Sequence, residues 1–346
     1  MPRPPTSALP YSQLLASAVV ASPNSAVSAH KWRYFVLRSC PAAGGVPSSV
    51  TRPARPEAAI MTTAQPTMPT AFIGHGNPMN ALERNRYTEA WRALGQAVPK
   101  PRAILVISAH WYTNATAVTA MPRPRTIHDF YGFPQDLFDV EYPAPGAPDV
   151  AEMVSDVVKP TWCGLDLDSW GIDHGTWSVL VHTFPDASIP VLQLSLNAFK
   201  DFEHHYELGR KLAPLREQGV LIIGSGNIVH NLRAVDFSKA DSGYDWAHRF
   251  DDAAREVLQD NPSHVLSLDG HPDFENSVPT PDHYLPLLYV AGLAQESPLD
   301  LLVDGHAAGS ISMAAYTHGL DLDAGQFSDA PAAELPEGFP ALNSNI

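Results

Sequence analysis

The chain has little cysteine. Its 346 residues hold two, Cys40 and Cys163, far apart and in no CxxC pair. That excludes a disulfide framework and a thiolate zinc site, and it points to a reducing compartment, the cytoplasm. No apolar run reaches the ~18–20 residues that a membrane helix needs, so no membrane partner is expected. Acidic residues are missing from the first 56 positions. All 37 of them lie later, whereas six of the 22 basic residues fall in that first stretch, so the body is more acidic than the net charge of −15 suggests. An acidic body does not favour nucleic acid or an anionic membrane surface.

Familiar catalytic signatures are missing as well. There is no HExxH, no EF-hand loop, no GxxxxGK[ST] and no well-placed GxGxxG. The GSGN at 224–227 is not G-x-S-x-G, so the nucleophile elbow is absent. A serine hydrolase or a nucleotide enzyme therefore has little support.

Proline and histidine are plentiful, at 33 and 15 residues. Residues 1–67 are rich in Pro, Ser and Ala, bear Arg and are poor in acid. They read as a disordered extension. It is either an organelle transit peptide or an over-called translation start, with Met61 or Met68 as the true one, and the second reading is favoured. From Met68 strand-like and helix-like segments alternate. They predict an α/β fold, with a single domain over 68–320 whose central, mostly parallel or mixed sheet is flanked by helices, and a tail over 321–346.

Helices are expected over 80–97, 150–158, 202–218, 246–259 and 283–294. Strands are expected from Thr70 and Ala103, and over 118–121, 189–196, 220–223, 299–303 and 310–316. Residues 122–148 read as a long Pro-rich loop, a length that usually marks a lid or binding loop.

Three apolar runs each lead into a histidine. TAFIGHGNP delivers His75, AILVISAHW delivers His110 just past its strand, and VLIIGSGNIVH delivers His230. In open α/β sheets ligands bind beyond the carboxyl ends of strands, so the three runs are expected to build one site. His283, in TPDHYLPL at a helix start, joins them. Any one of these histidines alone is more often structural than catalytic. Four together, without thiols, make a nitrogen-rich site for iron, zinc or a similar metal.

His174 in WGIDHGTW and His128 in RTIHDFYGFP rank second. Asp173 and Asp129 lie beside them and could orient an imidazole. His174 is the better acid/base candidate. His30, His182, His204, His205, His248, His264, His271 and His318 read as solvated or hydrogen-bonded loop and surface residues, and His306 shows little more. Arg123, Arg125 and Arg233 lie near the motifs and would serve either as carboxylate-binding groups or as plain surface cations.

Together GHGNPMNAL, ISAHW, TIHDFYGFP, YPAPG, WGIDHGTW, GSGNIVHNLR and TPDHYLPLLY resemble the class III extradiol ring-cleavage dioxygenases, most closely the branch called 4,5-DOPA dioxygenase extradiol. The resemblance runs from about Met68 to Thr317. It implies one α/β domain with a mononuclear metal, Zn2+ or Fe2+, at His75, His110, His230 and His283. It implies a catalytic role for His174 and for His230, which is either a ligand or a neighbouring acid/base group. Relatives such as the protocatechuate 4,5-dioxygenase catalytic subunit use two histidines and a glutamate around ferrous iron. Here His283 stands where that glutamate would. The implied partners are a small catecholic substrate and dioxygen, with the protein a monomer or small homo-oligomer. The competing enzyme class is a zinc hydrolase of a small amide or ester. A non-catalytic binding protein is disfavoured, because the presumed site keeps its histidines.

Overall fold

The computed structural model describes residues 67–320, 322 and 327–336. The extension expected over 1–67 thus lies, but for Thr67, outside the described residues. In chain order the elements are β1 (Thr70–Gly74), a 3-10 turn (Pro78–Leu82), α1 (Arg86–Ala97), β2 (Ala103–Thr113), β3 (Ala117–Thr119), α2 (Gln135–Phe138), α3 (Pro148–Val157), β4 (Gly164–Asp166), α4 (His174–Thr183), β5 (Val191–Asn197) and α5 (Phe202–Arg216). They continue with β6 (Val220–Gly226), α6 (Asp245–Asp260), a 3-10 stretch (Pro262–Gly270), α7 (Phe274–Ser277), α8 (Leu285–Ala294), β7 (Asp300–Val303), β8 (His306–Ala307), β9 (Ile311–Ser312) and β10 (Ala315–His318).

Eight strands form one mixed sheet in the order β4-β3-β5-β2-β6-β1-β10-β7. The centre is parallel: β6 lies between β1 and β2, parallel to both, and β5 is parallel to β2. The antiparallel β10 and β7 complete one side. Alternation along the central strands explains why both faces are dry. Leu105 and Ile107 of β2 and Ile222 of β6 point to one core, shared with Leu212 of α5, Phe250 of α6 and Leu288 of α8. Ile104 and Val106 of β2 and Ile223 of β6 point to the other, with Trp91 of α1 and Trp177 of α4.

Several expected elements differ in detail. The helix read over 80–97 begins at Arg86. Asn85 stops it there, because its side chain caps Tyr87 and Thr88 while Thr88 caps it in return. The loop over 122–148 carries the short α2. The strand read over 310–316 is broken at Met313 and Ala314, where the backbone turns to receive the end of β1. The Gly74 amide donates there to Ala314 O at 3.0 Å. Residues 327–336, read as tail, lie partly against the body, with Ala332 and Ala333 buried. Among the described residues, no helix is long and apolar enough to cross a membrane.

Candidate metal centre

Since β1, β6 and β2 are neighbours and parallel, their carboxyl ends open on one edge. His75 follows β1 directly, and His230 lies four residues after β6. His110 is not beyond its strand, as the sequence suggested, but on it. The pairing of β2 with β5 slips between Ile107 and Tyr112, so β2 bulges where His110 sits. Bulges re-aim a side chain in this way beside functional sites. His174 opens α4, and His283 stands two residues before α8.

Nitrogens of His75, His110 and His283 lie within 4.8 Å of one another. His75 Nε2 is 3.1 Å from His110 Nε2. Two hydrogen bonds fix the tautomer of His75. Ser225 Oγ gives its single proton to Gly175 O, so the 2.9 Å contact between His75 Nδ1 and Ser225 Oγ has Nδ1–H as donor. Nε2 is then left with a lone pair. Asp282 binds His283 Nδ1 in the same sense. His283 Nε2 is buried and has no hydrogen-bond partner. Burial, then repulsion from neighbouring site histidines, holds His75 and His110 well below the usual histidine range. Burial raises Asp282, but His283 beside it, with help from His230 and Thr280, lowers it by more, and the net position is well below the usual carboxylate range. Imidazoles with oxygen partners behind them are the donor set that a divalent transition metal takes. The residues fit such an ion.

The fourth histidine read as a ligand stands apart from that trio. His230 shares a group with Asp282 and His283, and its ring stacks on His283 at 3.5 Å and 7°. His174 lies on the other side, its ring 3.8 Å from that of His110.

The acidic partners differ from the sequence reading. Asp129 does not serve His128. Its Oδ1 accepts from His174 Nδ1 at 2.9 Å and from the His174 backbone N–H at 3.0 Å. Its Oδ2 lies 3.4 Å from His110 Nδ1. Asp129 therefore sits at the start of α4, where free backbone donors favour an anion. Burial raises its pKa, but His174 lowers it by more, and the net position is below the usual carboxylate value. Asp173 instead caps α4 at Thr176 and binds Ser108 Oγ and Gln193. Burial, with the Asp129 charge, pushes it up to about 6.

His128 is structural. Its Nε2 meets Val140 O at 2.9 Å and its ring packs on Phe130, Phe138 and Trp177. Arg123, Arg125 and Arg233 are exposed, and Arg125 binds Ser169 O. Phe130, from the Pro-rich loop, packs edge-on against His174 at 5.4 Å. Tyr131 faces solvent. Sequence reasoning missed Ser225 and Asp282 as histidine partners. Asp282 was visible as the residue before His283. Ser225 gave no signal, because its partner is 150 residues away. Gly175 is needed where it stands, since a Cβ there would lie 2.6 Å from the His110 ring.

The family model described as the catalytic LigB subunit of aromatic ring-opening dioxygenase matches residues 62–317. The chain belongs to this family. Within it, a protein of Escherichia coli K12 named 4,5-DOPA dioxygenase extradiol is 48% identical over 251 residues, covering 71% of this chain and 93% of that one. Proteins of the same name from Mirabilis jalapa and Beta vulgaris are each 36% identical, over 68% and 71% of this chain and 90% and 95% of theirs. A crystal structure of an uncharacterized protein, JW3007, from Escherichia coli K12 superposes with a TM-score of 0.64 at 44% identity, over 73% of this chain and all of that one. This LigB-family chain thus bears out the resemblance read from its motifs. Nothing among these relatives supports the hydrolase alternative.

Proposed function

We propose that this protein opens the ring of a DOPA-like catechol beside its hydroxyls, consuming dioxygen, with ferrous iron held by His75, His110 and His283. The observation that carries the reading is the cluster of those three histidines, within 4.8 Å of one another, in a chain of this family. Relatives named for 4,5-DOPA support the substrate class.

The bound ion supplies Lewis acidity to the catechol oxygens and redox capacity toward dioxygen. The same histidines suit zinc, which lacks that redox capacity. The protein residues do the rest. Ser225 and Asp282 fix the tautomers of His75 and His283, so their lone pairs face inward without reorganisation. Asp129 fixes Nδ1 of His174, whose Nε2 is buried without a hydrogen-bond partner. That Nε2 takes a catechol proton, and the Asp129 carboxylate stabilises the imidazolium formed. His230, stacked outside the trio, handles the second proton. Phe130 walls the His174 side and keeps water from it. Eight described residues thus divide into three that hold the ion, two that move protons and three that orient.

The test is to supply DOPA and isotopically labelled dioxygen and to weigh the product. Ring opening places both oxygen atoms in the product. A product without oxygen from dioxygen contradicts the reading.

A further inference from the structure

The family match ends at residue 317, yet a later segment reaches the loop that carries His75. That loop has few regular backbone bonds. Gly76 takes a positive φ of 60°, and a Cβ there would lie 2.4 Å from Met313 Sδ. Two buried asparagines hold it. Asn80 Nδ2 donates to the carbonyls of His75 and Asn77, each at 3.2 Å. Asn77 Oδ1 caps Met79 N at 2.9 Å. Asn77 Nδ2 and Asn80 Oδ1 also reach the late segment. Asn77 Nδ2 donates to Ala333 O at 2.6 Å, and Ala333 N donates to Asn80 Oδ1 at 2.9 Å. The segment is tied down further at Ala330 O by Arg86 N, and at Ser328 N by Glu89. Asn80 is fully buried and Asn77 nearly so. Asn80 Oδ1 has one further donor, Asn85 Nδ2 at 2.9 Å.

We propose that residues 328–333 are a positioning element of the metal site, a clasp that sets the His75 loop through Asn77 and Asn80. It rests on the reading of His75 as a ligand. The clasp touches neither ion nor substrate. It acts because buried amide groups demand partners, and here their partners fix where the His75 backbone lies. If the clasp opens, the loop that aims His75 Nε2 loses two of its anchors at once.

Two full-length variants break it from opposite sides. Asn77→Ser keeps a side-chain oxygen able to cap Met79 but cannot reach Ala333 O. Ala333→Pro removes the amide that binds Asn80. Each is loaded with cobalt, and release to excess chelator is timed beside the absorption spectrum of the bound ion and the melting temperature. His75→Ala is the control for the ligand reading. The proposal predicts release about ten-fold faster in both variants, the scale seen when groups behind a ligand are lost, with an altered cobalt spectrum. Lower melting temperatures with release and spectrum unchanged make the segment merely structural and overturn the proposal. If His75→Ala binds and releases cobalt as the parent does, the ligand reading itself fails, and the clasp with it.

Discussion

Asp129 Oδ1 accepts both the ring Nδ1 proton and the backbone N–H of His174, at 2.9 and 3.0 Å. A single carboxylate oxygen thus fixes both the position and the tautomer of this imidazole. The other oxygen faces His110, so one residue spans a proposed ligand and a proposed proton carrier.

Asp129→Asn keeps the shape but removes the charge that stabilises a protonated His174. Turnover should fall about 10- to 100-fold, with KM for the catechol changed much less. The acid limb of the kcat profile should move as well. Steady-state kinetics across pH checks this. A variant with parental kcat at every pH would remove Asp129 from the mechanism.

His283→Ala and His230→Ala should separate holding from proton transfer. Loss of His283 removes an inward nitrogen and should abolish tight metal binding. Loss of His230 should leave the metal in place and cost about 100-fold or more in turnover. Metal content after gel filtration, with kcat, decides. Loss of metal from the His230 variant would make that residue a ligand.

The alternation of strand and helix, the central strands and three of the four grouped histidines were legible from local pattern alone. Apolar runs ending in small residues mark strand ends, and parallel neighbours bring those ends together. The pairing of Asp129 with His174 was not legible, because the two are 45 residues apart and a nearer histidine competes for the same aspartate. The bulge that re-aims His110 was hidden for another reason. The sequence reading ends the strand at small residues before His110, and only the pairing with β5 shows that the strand runs on to Thr113 and slips on the way. The attachment of residues 327–336 rests mostly on backbone groups, which carry no sequence signal.

Phe130→Ala should weaken catechol binding. The ring that packs on His174 is removed, and one aromatic contact is worth about 1 kcal/mol, or roughly five-fold in KM. A larger effect on kcat than on KM would show that Phe130 orders His174 rather than contacts the ring of the substrate.

Acid should destabilise the fold through histidines outside the site. Burial pushes His182 and His205 down to about 4 from 6.5. As pH falls below 6.5 the unfolded chain takes up protons that these folded residues refuse until about 4, so each contributes stability that is lost over that window. Buried Asp173 and Asp251, pushed up to about 6 and about 7, act in the opposite sense. The difference between parent and His205→Gln isolates one contribution. Melting temperature should fall less steeply with acid in the variant, and parallel curves would contradict the assignment.

The most direct measurement is dioxygen uptake with DOPA by protein reconstituted anaerobically with ferrous iron and, separately, with zinc. The account predicts one dioxygen consumed per DOPA with iron, a yellow ring-opened product, and no uptake with zinc. No uptake with iron, from protein that binds one ion per chain, would contradict it.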